Sequence, residues 1–154
     1  MKFNKRTLDF ISGVDPLKLL KDNPQDITNP FAIICPHAGY VFSGEVAASV
    51  FNTIDPDKEY DNVFILSTSH TANYVGSAII DEDYDTPYGT MPLNKNIKLQ
   101  KDIFHVSPQY FLNDHTVEVI LPFVQNKIKY KIFNLKHSSP PIVSYHNKFP
   151  LFAY

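Results

Sequence analysis

Three histidines and one glutamate carry the chemistry this sequence offers. His37 follows directly on Pro36 in Ala32-Ile33-Ile34-Cys35-Pro36-His37-Ala38-Gly39-Tyr40-Val41-Phe42-Ser43-Gly44, and His70 closes Ser67-Thr68-Ser69-His70. His115 and Glu118 fall in Asp114-His115-Thr116-Val117-Glu118-Val119-Ile120-Leu121-Pro122-Phe123-Val124-Gln125. Imidazoles ligate transition metals and move protons near neutral pH. His115 and Glu118 are one helical turn apart, a spacing that serves two ligands or a proton relay. The plainer reading of that pair is a surface ion pair at a helix start. Taken singly, a loop histidine such as His37 is a surface residue or a satisfied hydrogen-bonding group. Asp81, Asp83 and Asp85 offer further carboxylates, but no calcium-loop glycine spacing follows them, so a solvated corner is the simpler account. His137 and His146 would have to reach a site from a proline-rich tail, which seldom preorganises ligands.

The elements around these residues decide whether they can meet. The apolar run Phe31 to Cys35, stopped by Pro36 and followed by two glycines, reads as a buried strand and a tight loop. A helix is expected over Glu45 to Ile54, where Val46, Val50 and Ile54 recur at fourfold spacing, with Ser43 as its N-cap. Tyr60 to Ser67 is the next strand. Strand, helix and strand at this length make a βαβ unit, so the two strands run parallel. His37 and His70 then sit just past the carboxyl ends of two parallel strands, the rim where open α/β sheets place their ligands. If the strands are neighbours, the imidazoles converge.

The rest of the chain is less eventful. Asp15-Pro16 followed by Leu17, Leu19 and Leu20 predicts a short capped helix inside a lead-in covering residues 1–29. Val75 to Asp81 reads as a third strand, Tyr84 to Leu93 as a hairpin, and Lys95 to Ile103 as a short helix. Val117, Ile120, Leu121 and Val124 form one apolar helical face, which Pro122 should kink. Lys127 to Leu135 alternates as a strand does. Residues 136–154 show no sustained period and read as an irregular tail after an α/β domain over 30–135.

Bulk composition narrows the function. The chain has 154 residues, enough for one domain, and is 44% hydrophobic with a formal net charge of −2. Nothing in that balance favours nucleic acid, and no run approaches the roughly 20 apolar residues that span a bilayer. Cys35 is the sole cysteine, so an internal disulfide is excluded; with no apolar leader at the N-terminus, the expected compartment is cytoplasmic.

The motifs PHAGY-x-FSG at Pro36 to Gly44, Ser69-His70, Y-D-T-P-Y-G at Tyr84 to Gly89, and DHTVEV with LPF at Asp114 to Phe123 resemble the Memo family, whose prokaryotic members are called AmmeMemoRadiSam system protein B. The likeness covers roughly Phe31 to Gln125. It implies a mostly parallel central sheet flanked by helices, similar to the class III extradiol dioxygenase fold, with the C-terminal half incomplete. It implies a non-haem metal, Fe(II) or Cu, with His37 and His70 as ligands. It implies a proton-transfer or substrate-polarising role for His115, with Glu118 as its neighbour. No third protein ligand is assigned, because Cys35 does not match the family's cysteine. Two further departures are Asp114, where the family carries Glu, and Ser67-Thr68, where it carries Gly-Pro.

The resemblance also implies radical-SAM and AMMECR1-like partners, and an exposed sheet edge would favour a homodimer. Three functions follow as expectations. The first is a metal-dependent protein with redox or dioxygenase-like chemistry on an unknown substrate. The second is a non-catalytic module that binds a peptide or protein in the same cleft. The third is a truncated, non-functional fragment whose stretch from about Phe133 onward is unrelated to the family.

Overall fold

The structure, a computed structural model, describes residues 1–70, 77–94, 104–129, 132–137 and 151–153. The N-terminal residues form two short helices. Helix α1 (Lys5–Ile11) starts at Asn4, whose side chain accepts a hydrogen bond from the Thr7 N–H at 2.9 Å. Helix α2 (Pro16–Asp22) has the expected cap: Asp15 Oδ1 accepts from the Leu17 N–H at 3.0 Å, with Pro16 in the first turn, where its missing N–H costs nothing. Then come β1 (Ala32–Ile34), α3 (Tyr40–Asn52), β2 (Val63–Thr68) and β3 (Ser77–Ile79). The hairpin β4 (Tyr84–Thr86) and β5 (Gly89–Met91) is antiparallel, as its turn residues predict. The chain continues through β6 (Phe104–Val106), a 3-10 turn (Pro108–Tyr110), α4 (Leu121–Lys127), β7 (Ile132–His137) and β8 (Leu151–Ala153). The helix expected over Lys95 to Ile103 lies outside the described residues.

Six strands line up in the order β1-β8-β2-β7-β3-β6. β1 runs parallel to β8, β8 to β2, and β2 to β7 over the six positions from Val63↔Ile132 to Thr68↔His137. β3 is antiparallel to β7 and parallel to β6. One expectation changes here. β1 and β2 are not neighbours, because β8 lies between them. Their carboxyl ends still share one rim, since both run parallel to β8. Within the stretch read as an irregular tail, residues 136–137 and 151–153 are strand; its other residues lie outside the description.

Three further boundaries move. Helix α3 starts at Tyr40, five residues before Glu45, so Ser43 is inside the helix and is not its cap. Gly39 takes the cap position, and the Ser43 hydroxyl donates to Ala38 O at 3.2 Å instead. Pro122 does not kink a helix. It sits in the first turn of α4, while residues 116–120 form turns held by bonds such as Val119 N–H to His115 O at 3.0 Å. A proline is comfortable only where its absent N–H has no helical partner, so the helix begins there. Lys127 ends α4, Lys129 makes an isolated parallel bridge with Glu59, and strand β7 covers Ile132–His137.

The helices pack on one another and on the sheet through a core of Phe51, Ile54, Ile65, Ile120, Leu121 and Phe123, all 2% exposed or less. Phe51 and Phe123 stack with centroids 5.6 Å apart, and truncating such a ring to Ala costs about 3–5 kcal/mol. Where α2 and α3 meet, a β-carbon on Gly44 would lie 2.6 Å from Leu19 Cδ1, so the leucine would have to shift to admit one.

Candidate metal centre

Each histidine is delivered by its own element. β1 ends at Ile34, and Cys35 and Pro36 lead to His37 in the loop before α3. That loop lies close to α1: a β-carbon on Gly39 would meet Phe10 O at 3.3 Å. β2 ends at Thr68, two residues before His70. His115 comes from the turn before α4, after Asn113, whose φ of 60° reverses the chain.

The rings meet. His37 Nε2 and His70 Nε2 are 3.1 Å apart. Ring centroids are separated by 5.2 Å for His37 and His70, 5.5 Å for His70 and His115, and 6.0 Å for His37 and His115. One nitrogen from each of the three falls within 4.8 Å of the others, a group that could hold a metal ion. His70 is exposed, His37 half-buried and His115 buried. The floor of the cluster is thus inside the protein and its outer imidazole faces water. A cavity of about 350 Å³ opens above the histidines, walled by Phe10, Gly39, Val41 and Phe42, with Asp9 also lining it.

The donor set suits a transition metal. Two nitrogens each about 2.1 Å from one ion lie roughly 3.0 Å apart at right angles and 3.4 Å apart in a tetrahedron, and 3.1 Å falls in that interval. Three imidazoles with open positions suit Fe, Cu or Zn better than the oxygen-seeking Mg or Ca. His115 Nδ1 is buried without a hydrogen-bond partner among the described residues. Burial pushes the His115 imidazole down to about 4, helped by the nearby Arg6 charge and opposed by Asp114. It is therefore neutral at pH 7, the form a metal requires. Phe10 meets it edge-on at 4.4 Å.

Glu118 is buried, not part of a surface pair. Its Oε2 accepts from Thr7 Oγ1 at 2.5 Å, Asn4 Nδ2 at 3.0 Å and the Asn4 N–H at 3.1 Å. These bonds tie the start of α1, and so the Phe10 wall of the cavity, to the His115 turn. Asp114 is likewise buried and bonded, at 1% exposure. The sequence marks Asp114 only as a departure from the family's Glu and gives Asn4, Thr7 and Phe10 no role. The local signal for Asp114 was the Asp-x-Thr spacing, which favours a side-chain turn to the Thr116 N–H. Nothing local reveals that residues 4, 7 and 10 close over a site 100 positions later. Cys35 is 3% exposed and its thiol is pushed up to about 12 by burial; it is not among the clustered donors. Asp81, Asp83 and Asp85 lie in and beside the β4 hairpin, and none of them joins the group of metal donors found among the described residues. The side chains of His137 and His146 lie outside the description.

A sequence profile of Memo-like proteins matches residues 14–143. The chain belongs to the Memo-like family. It is 33% identical over 122 residues to a MEMO1 family protein of Desulfurococcus amylolyticus, an alignment covering 75% of this chain and 42% of the relative. With a MEMO1 family protein of Aquifex aeolicus it shares 31% identity over 125 residues, covering 78% and 42%. With one from Methanococcus maripaludis it shares 32% over 114 residues, covering 71% and 40%. The matched region of this Memo-like chain thus spans about two fifths of the length of these relatives. No helix among the described residues is long and apolar enough to cross a membrane.

Proposed function

We propose that this Memo-like chain holds one transition-metal ion, Fe(II) or Cu, on His37, His70 and His115, and serves redox chemistry of the dioxygenase type on a small substrate in the adjoining cavity. The observation that carries the reading is the convergence of three imidazoles from three separate loops, with two nitrogens 3.1 Å apart. Like-polarity nitrogens gather at this spacing when a shared proton or a metal joins them. When bound, such an ion supplies open positions for substrate and O₂ together with accessible redox states.

The protein's own residues have distinct tasks in this reading. His37 and His70 hold the ion from the strand rim. His115 adds the third nitrogen; if water takes that place instead, His115 is the group that moves the proton. Glu118 acts through position, fixing α1 against the His115 turn. Phe10, Val41 and Phe42 give one side of the cavity an apolar wall. A layout like that of class III extradiol dioxygenases, a sheet with its site at the strand ends, is part of this proposal, and the parallel pairings of β1, β8, β2 and β7 support it. Assembly with radical-SAM and AMMECR1-like proteins is proposed on the family resemblance alone, and a cytoplasmic setting on the sole cysteine, Cys35.

The test is the metal content of tag-free protein, followed by calorimetric titration with Fe(II) or Cu(II). One ion per chain, lost in His37→Ala and His70→Ala, is the expected result. Absence of any site tighter than millimolar would overturn it. A second reading has its own observation: Phe42 and Val41 stand 86% and 74% exposed at the cavity lip, an apolar rim suited to a peptide or protein. Under that reading ligand binding survives chelation.

A further inference from the structure

We infer that Asp114 is the positioning residue of the three-histidine centre: its carboxylate clamps the His70 loop to the His115 turn and so sets the spacing of two of the three donors. The inference rests on the metal reading above and adds a residue to it. Asp114 belongs to neither group assigned there.

The geometry is that of a two-sided bracket. Asp114 Oδ2 accepts from the His70 N–H at 2.8 Å and from Ser69 Oγ at 3.2 Å. Oδ1 accepts from the Thr116 N–H at 3.0 Å and from Thr116 Oγ1 at 2.9 Å. One oxygen thus binds the loop after β2, and the other binds the turn that carries His115. Thr116 Oγ1 adds a contact of 3.3 Å to Thr68 O, so the two loops touch again beside the carboxylate. Asn4 Nδ2 donates to Asp114 O at 3.3 Å, which brings α1 onto the same residue. Asp114, Thr116 and Ser67 are all buried, and charge-assisted bonds in such a place are the strong ones.

Four donors converging on one carboxylate explain why an acid, not an amide, stands here. A carboxamide has a single acceptor oxygen. Asp114→Asn would keep one side of the bracket and turn an NH₂ group toward donors on the other. Because the His70 N–H bond is made at the residue that carries the ring, loss of that side frees the ring's backbone anchor directly. Groups that hold metal ligands in place typically contribute 10–100-fold to metal affinity.

The experiment uses the full chain, Co(II) as the probe, and the variants Asp114→Asn and Ser69→Ala. Co(II) affinity and visible absorption bands are read together with a thermal melt. Amide exchange at His70 is read in chelator-treated protein. The expected result is a Co(II) Kd raised about 10–100-fold in Asp114→Asn with altered bands, a smaller rise in Ser69→Ala, and faster His70 exchange in Asp114→Asn without metal. A folded Asp114→Asn with unchanged Kd and bands overturns the positioning role while leaving the metal reading intact. If the unaltered protein takes up no Co(II), the metal reading fails, and unchanged His70 exchange in Asp114→Asn then removes the clamp as well. Should Asp114→Asn not fold, Ser69→Ala decides: its surface-side bond can be deleted without burying an orphaned charge, and no change in Kd, bands or exchange overturns the inference.

Discussion

His37 and His70 place their Nε2 atoms 3.1 Å apart although the strands that deliver them are separated by a third. Two strand spacings are about 10 Å, so the closing distance is covered by the loops past the strand ends. On the His37 side, Gly39 lets the loop run against Phe10; on the His70 side, Asp114 holds the backbone. The short distance is therefore a property of loops and anchors, not of strand adjacency.

Removing one donor tests which histidines hold the ion and which move protons. His37→Ala and His70→Ala should each weaken metal binding at least about 100-fold, more than the loss of an orienting neighbour does. His115→Gln separates the two roles given to His115. If it is a ligand, affinity falls with the others; if it is a proton-transfer group, affinity stays within about threefold and turnover falls by about 100–10,000-fold. Calorimetry and elemental analysis measure the first quantity.

Cys35 should play no part in that centre. Its thiol is buried and pushed up to about 12, so at pH 8 it is protonated and shielded. Reaction of the native protein with a thiol reagent should be at least about 100-fold slower than after unfolding. Copper-loaded protein should lack a thiolate charge-transfer band, and Cys35→Ala should keep its metal. An intense band in the visible that disappears in Cys35→Ala would place sulfur at the ion.

Part of the histidine cluster is legible in the sequence. His37 and His70 were legible because an apolar run ending in Pro-His or Ser-His marks a strand end, and the βαβ spacing gives both strands one direction. His115 was legible as a site residue but not as a donor beside the other two, since a loop's path is set by tertiary bonds such as those of Asp114. The order of the strands was not legible: β8 is three residues long and pairs between β1 and β2 across a separation of over 80 positions, and no local pattern encodes that. The start of α3 at Tyr40 carries no side-chain cap signal, because Gly39 at the cap position has no side chain. The surface-pair alternative for Glu118 fails because its partners are Asn4 and Thr7, which lie in a segment with no motif.

Glu118 should therefore matter most to stability. Three donors from residues 4 and 7 point at one of its oxygens. Glu118→Ala would orphan them in a buried place and cost about 3 kcal/mol, and Thr7→Val would cost about 1–3 kcal/mol by removing one donor from the carboxylate. Urea melts measure both. Metal affinity in a folded Thr7→Val should stay within threefold, since α1 supplies no ligand; a collapse of affinity there would instead make α1 part of the centre.

Tyr40 gives a milder, cleaner case. Its buried hydroxyl donates to Val119 O at 2.7 Å, joining the first residue of α3 to the turn after His115, and burial raises its phenol above the usual range. Tyr40→Phe keeps the ring's packing on Phe123, 5.1 Å between centroids, and leaves one carbonyl unpaired. The expected loss is about 1–2 kcal/mol, seen as a lowered thermal midpoint. A variant as stable as the parent would mean the carbonyl finds another donor at no cost.

The final prediction concerns acid. In the folded, metal-free protein the His115 imidazole is lowered from 6.5 to about 4, chiefly by burial and then by Arg6. As pH falls through 6.5 the unfolded chain takes up a proton at His115 that the folded chain does not. Stability then declines, because the state that binds more protons gains. Above 6.5 neither state is protonated and His115 contributes no slope; below 4 both are, and the loss is complete. Chelator-treated protein should therefore become less stable between pH 6.5 and 4, with up to one proton bound on unfolding traceable to this residue. His115→Gln removes that proton, so its urea midpoint should fall less steeply over the same interval. Parallel curves for the two proteins would show that the imidazole titrates normally in place, with solvent reaching it in the folded state.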